Sequence, residues 1–144
     1  MQGKFICHKD FENLKPIDVF HKELFAEPVE QHTEGLCNRH TLFRKKVVLG
    51  KASKAILKIT ADDYFKLYIN GVYVTQGPPP SYPNHYYFME IDVTSFLKEG
   101  VNTFAVHTYY QGLINRVWVS GDLRSMFWCE LYLDGKVALV SDES

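Results

Sequence analysis

No apolar run in this 144-residue chain approaches the ~20 residues that a membrane-spanning helix needs. An excess of charge of one sign is equally missing. Sixteen Lys and Arg face seventeen Asp and Glu, a formal net charge of −1, so neither a basic nucleic-acid footprint nor a polybasic membrane surface is in view. Cysteine is sparse. Cys7, Cys37 and Cys129 are odd in number, widely spaced and without a Cys-x-x-Cys pair, which points to reduced thiols rather than a disulfide or zinc framework. The six histidines, His8, His21, His32, His40, His85 and His107, include no i,i+4 pair. No contiguous Asp/Asn-rich loop announces calcium either. There is no Asn-x-Ser/Thr sequon, and residues 1–8 meet charge and polar groups before a leader-like apolar stretch can form. From these absences we expect a cytoplasmic single domain with no metal and no cofactor, and with neither nucleic acid nor membrane as partner. At this length a chain buries about 70% of its unfolded surface and needs no covalent staple.

What is present is aromatic. Ten Phe, nine Tyr and two Trp make 15% of the chain, and twelve of the twenty-one lie within residues 82–132. Such density favours strands over helices. From Thr41 onward a period of two takes over. Residues 43–49 read as a strand ended by Gly50, and Ala55, Leu57, Ile59 and Ala61 share one face of the next. Phe65, Leu67 and Ile69 repeat the pattern. Asn70-Gly71 and Asp134-Gly135 each separate two such runs, the strongest short-range signal for a hairpin, because a type I′ turn needs positive φ at both central residues. Pro78-Pro79-Pro80 excludes a central strand and reads as a stiff surface loop. Residues 86–93 and 101–109 return to strand, with a short turn of helix at 94–100 closed by Gly100. Residues 1–40 form an irregular lead-in, with a short strand at 5–7 and a helical turn within 15–25 begun by Pro16. Residues 41–144 form the domain proper. The expected fold is all-β, an antiparallel jelly-roll β-sandwich of eight or nine strands.

The order of motifs resembles a known family. Ala61-Asp62-Asp63-Tyr64-Phe65-Lys66-Leu67-Tyr68-Ile69-Asn70-Gly71 is followed by Gly77-Pro78, by Tyr87, and then by Ile91-Asp92-Val93-Thr94-Ser95-Phe96-Leu97-Lys98-Glu99-Gly100-Val101-Asn102. This run, together with the hairpin over 127–135, resembles the N-terminal β-sandwich of bacterial α-L-rhamnosidases, a galactose-binding-like fold, over roughly residues 41–140. The resemblance implies a non-catalytic domain that supports a separate helical catalytic barrel and shapes substrate access. The catalytic domain of the same polypeptide would be its partner, and the isolated chain would be inactive. It also implies that the sandwich could expose a strand edge and self-associate through it. The alternative is a lectin-like carbohydrate-binding module for L-rhamnose or related sugars.

Each candidate for chemistry has a plainer structural role beside it. Glycoside hydrolysis needs two carboxyls about 5–9.5 Å apart. Asp62 and Asp63 are neighbours that a strand sends to opposite faces, so they suit a turn; Glu90 and Asp92 share a face but lead into a cap. No catalytic residue is assigned. The connection over 109–124 mixes aromatic, amide and charged groups. Its Tyr109, Tyr110, Asn115, Arg116 and Trp118 are the candidates for ligand binding or domain docking, with core packing as the third reading. Trp128 and Cys129 are expected to be structural, the latter as a buried thiol.

Overall fold

The computed structural model describes residues 2–15, 36–81, 85–112 and 123–143. The helical turn expected within 15–25 lies outside these residues, apart from Lys15. Among the described residues, nine strands pack as two antiparallel sheets. The first sheet contains β1 (Ile6–Cys7), β3 (Ala55–Ala61), β6 (Met89–Asp92), β8 (Met126–Leu133) and β9 (Lys136–Val140), in the order β1-β8-β3-β6 with β9 also paired to β8. The second runs β2-β7-β4-β5, formed by Arg39–Leu49, Gly100–Tyr110, Tyr64–Ile69 and Val72–Gly77. The all-β sandwich expected from the period-2 pattern is the fold observed.

That period places the core between the sheets. Leu57, Ile59, Phe127 and Leu131 face inward from the first sheet, and Phe65, Leu67, Ile69, Phe104 and Val106 from the second. Each such side chain contributes roughly 1.5–3 kcal/mol on burial. Cys129 belongs to the same cluster, and burial, ahead of the Glu130 charge, pushes its thiol up to about 12. Both two-residue turns have the backbone that their sequences demand. Asn70 and Gly71 stand at φ 51° and 83°, and Asp134 and Gly135 at 46° and 81°.

Three boundaries differ from the sequence reading. β2 begins at Arg39 rather than 43, because β7 continues to Tyr110 and offers each residue a partner. The strand expected over 86–93 is confined to Met89–Asp92. The residues before it carry rings that pack instead on the sheet's outer surface, Tyr86 against Phe5 and Phe88 against Trp128. A four-residue helix, α1 (Lys9–Glu12), follows β1, and its Phe11 packs edge-on against Tyr110 at 5.0 Å.

The two outer faces are treated differently. On the first sheet Trp128, Glu130 and Thr60 point away from the core yet are buried. The amino-terminal residues close over Trp128 and Glu130, and Thr60 donates its hydroxyl to the Tyr87 carbonyl at 2.7 Å. The Glu130 carboxylate accepts the amides of Gln2 and Gly3, and the Trp128 indole donates to the Gly3 carbonyl at 3.2 Å. Only glycine fits there, since a Cβ on residue 3 would stand 2.9 Å from the indole nitrogen and 3.0 Å from the Cys129 carbonyl. On the second sheet the outer residues stay open. Leu42 and Val48 are 77% and 75% exposed, and Val101 and Tyr73 are about half exposed.

Candidate binding face and the acidic corner

The open face of the second sheet carries a row of rings set by strand register. His40 on β2 pairs with Tyr109 on β7, which pairs with Tyr64 on β4. Cross-strand neighbours on one face lie close enough for their rings to meet. The His40 and Tyr109 rings stack at 4.8 Å and 24°, and Tyr64 and Tyr109 lie at 6.5 Å and 19°. The Tyr109 hydroxyl donates to Asn38 Oδ1 at 2.7 Å, which fixes the middle of the row. One step along the face, His107 sits between Leu42 and Lys66, and its Nε2 is 2.9 Å from His40 Nδ1. Burial, then His40 and Lys66, hold the His107 imidazole below its ordinary pKa. Tyr64 is raised, by burial and then by Asp63 and Tyr109. Beside this row a groove of about 570 Å³ opens, with Lys66 and Gln76 as polar lining and Pro78 and Pro79 as a wall.

Of the residues singled out in the sequence, Tyr109 alone is seen on this face. Tyr110 follows it on the strand and so points the other way. It is fully buried, with its hydroxyl accepting the Leu123 amide at 3.1 Å. A surface bearing both tyrosines is therefore not what the strand allows, and Tyr110 is core in this structure. Asn115, Arg116 and Trp118 lie outside the described residues. His40, His107, Tyr64 and Lys66 were not singled out. Their outward period was readable, but the pairing of positions 67 residues apart was not.

The acidic pairs are tied into the fold. Asp62 and Asp63 form the corner between β3 and β4, and their carboxyls meet in a hydrogen bond instead of parting to opposite faces. Tyr86 donates its hydroxyl to Asp62 at 2.8 Å, and the Gln111 amide donates to Asp63 at 2.8 Å. Burial, reinforced by Asp63, pushes Asp62 up to about 8. Carboxyls in direct contact leave no gap for a glycosidic bond, which needs a separation of about 5 Å or more. Glu90 pairs with Lys58 at 3.1 Å, and Asp92 accepts the Thr94 amide and hydroxyl.

The residues that carry the family resemblance form one hydrogen-bonded corner. Asn102, fully buried, accepts from the Lys98 amide and Asn70 Nδ2, and donates to the Lys98 and Gly100 carbonyls. Asn70 also donates to the Phe96 carbonyl and accepts the Thr103 amide. Thr94 accepts the Ala55 amide, tying the turn after β6 to the start of β3. The motif is therefore architectural.

Fold and faces together define an antiparallel two-sheet β-sandwich with one open outer face. More particularly, it is similar to a part of solved α-L-rhamnosidases, so the resemblance read in the sequence holds in the structure. The GH78-family rhamnosidase of Bacillus sp. GL1 matches 74% of this chain at 29% identity and a TM-score of 0.68. The α-L-rhamnosidase of Aspergillus terreus matches 80% at 23% identity and 0.63, and that of Streptomyces avermitilis, complexed with L-rhamnose, 72% at 20% and 0.52. The latter two share the fold. The matches span only 11%, 15% and 10% of those longer chains. No family model and no curated protein matches the chain.

Proposed function

We propose that this chain is a non-catalytic β-sandwich domain of an α-L-rhamnosidase-type glycoside hydrolase. Its task is to dock on the catalytic domain of the same polypeptide and to shape substrate access. One observation carries the reading: most of the chain matches about a tenth of the Bacillus enzyme at 29% identity. The open face sets exposed Leu42, Val48, Val101 and Tyr73 among Arg44, Lys46 and Lys66, a mixed surface of the sort a neighbouring domain covers. The unpaired cysteines suit a cytoplasmic setting, which we propose with it. The test is to assay the purified chain on an aryl α-L-rhamnoside, alone and added to the Bacillus enzyme from which the matching segment has been deleted. No hydrolysis by the chain alone, with activity regained in the mixture, is the expected result. Hydrolysis by the chain alone would overturn the non-catalytic role.

The groove beside Tyr64 and Tyr109 favours a second reading, a carbohydrate-binding module for L-rhamnose or a related sugar. Its rings and prolines, with the Gln76 amide and the Lys66 ammonium, fit a saccharide, and its volume is that of a small-ligand site. Titration with L-rhamnose, followed by NMR, separates the readings. Saturable shifts at Tyr64 and Tyr109 support the module, and shifts at Arg116 and Trp118 move the site to the 109–124 connection. No response leaves the docking role alone.

A further inference from the structure

Cations on this molecule are placed in two ways. Among the described residues Lys4, Lys45 and Lys58 each stand within 3.3 Å of a carboxylate. Arg44, Lys46 and Lys66, exposed on the outer face of the second sheet, form no such pair. Strand register sets Lys66 between His107 on β7 and Gln76 on β5. These three line the groove of about 570 Å³ together with Tyr64 and Tyr109, and among the described residues no Asp or Glu lines it. Asp63, next to Tyr64 in the chain, is buried and accepts the Gln111 amide. Burial and His40 are joined by the Lys66 charge in holding the His107 imidazole below its ordinary pKa, so that charge reaches into the groove. The proline wall starts where β5 ends, at Gly77, where a Cβ would collide with the Met89 sulfur.

We propose that this groove selects an acidic saccharide, a pyranose whose C5 carries a carboxylate, over a neutral sugar such as L-rhamnose. The inference rests on the carbohydrate-binding reading and narrows its ligand class. An ammonium group has three donors and no acceptor. A neutral sugar offers it only hydroxyls, whereas a uronate offers a charge-assisted hydrogen bond. Tyr64 and Lys66 stand two residues apart on one strand face, roughly 6.8 Å, a span that one pyranose and its carboxylate bridge. The C–H face of the sugar then lies on the Tyr64 ring, which is 37% exposed, and the Gln76 amide beside Lys66 serves the hydroxyls. Arg44 and Lys46, further along β2, add a field of the same sign.

The experiment titrates the chain with methyl β-D-glucuronide, methyl β-D-glucoside and L-rhamnose, with acetate as the anion control. Binding is read from NMR shifts at Tyr64, Lys66 and Tyr109. The two glycosides differ only in carboxylate against hydroxymethyl, and the glucuronide should bind about tenfold more tightly at low salt. That preference should shrink as salt is raised. Lys66→Gln, at an exposed position, should abolish it while the weaker glucoside binding persists. Lys51→Gln removes one charge beyond the far end of β2 and should leave the preference intact. Thermal melting of both variants checks that the fold is kept. Equal affinity for the two glycosides, or tighter binding of L-rhamnose, would overturn the acidic preference and leave the carbohydrate reading standing. A preference that survives Lys66→Gln, or acetate binding as tightly as the glucuronide, would overturn it as well. No shift with any of the three sugars would overturn the carbohydrate reading together with it.

Discussion

Asp62 sits in a corner where water is replaced by Asp63, Tyr86 and backbone, and its titration moves accordingly. Burial first, then the charge and hydrogen bond of Asp63, lift it from 3.8 to about 8 against the weaker pull of Tyr86 and Arg124. It holds its proton at neutral pH in the folded chain and loses it in the unfolded one. For an acid raised in this way, the stabilisation is fully present below about pH 3.8 and is lost steadily as the pH climbs towards 8. Asp62→Asn removes the titration while keeping a neutral side chain. Urea midpoints measured across this range should therefore fall less steeply with pH in the variant. An equal slope would mean that another group carries the proton. Asn102 makes the complementary case, a buried amide whose hydrogen bonds are all made inside the fold. Asn102→Ala strands the Lys98 amide and the Lys98 and Gly100 carbonyls, with an expected cost of about 2–3 kcal/mol. The urea midpoint should drop with no change in slope; a loss below half a kilocalorie would show that water replaces the amide.

At the scale of elements, what could be read from the chain was what is local. Asn70-Gly71 and Asp134-Gly135 announce their turns because positive φ is a property of two adjacent residues. Phe65, Leu67 and Ile69 announce their face because side-chain direction alternates within one strand. Register between strands distant in sequence is set by packing across the whole sandwich, so the meeting of His40 with His107, and of Tyr64 with Tyr109, was not readable. Of the readings open for Tyr110, core packing is the one its burial fits, because β7 runs on through it rather than ending at Tyr109. Adjacent residues in a strand face opposite ways, so Tyr109 and Tyr110 part to opposite sides of the sheet. β2 shows how an edge is managed. It is long and lies at the margin of its sheet, yet Arg44, Lys45 and Lys46 occupy its middle. A second β2 paired antiparallel there would set like charges side by side. We expect Arg44→Thr with Lys46→Thr to promote self-association visible by sedimentation velocity, while the wild-type edge resists it. A double variant that stays monomeric at every concentration where the wild type does would mean that charge is not what guards this edge.

Among the described residues, the outer surface of one sheet is covered and that of the other is open. Residues 2–5 and 86–88 close the outer surface of the first sheet over Trp128, which is 4% exposed. Nothing among the described residues closes the second, where Leu42 and Val48 stand in solvent. Burial decides what a substitution costs, so the two faces should respond in opposite ways. Trp128→Ala removes a packed ring and the indole hydrogen bond to Gly3, and is expected to lose about 3–5 kcal/mol. Leu42→Ser and Val48→Ser remove apolar surface that the isolated chain does not bury, and are expected to stay within about 0.5 kcal/mol of wild type. The same serine variants should weaken docking to a catalytic domain, because the lost surface is then at an interface. Urea unfolding of the isolated chain separates the cases before any partner is added. If Leu42→Ser destabilised the chain as Trp128→Ala does, the second face would already be covered within the chain, and docking would have to use another surface.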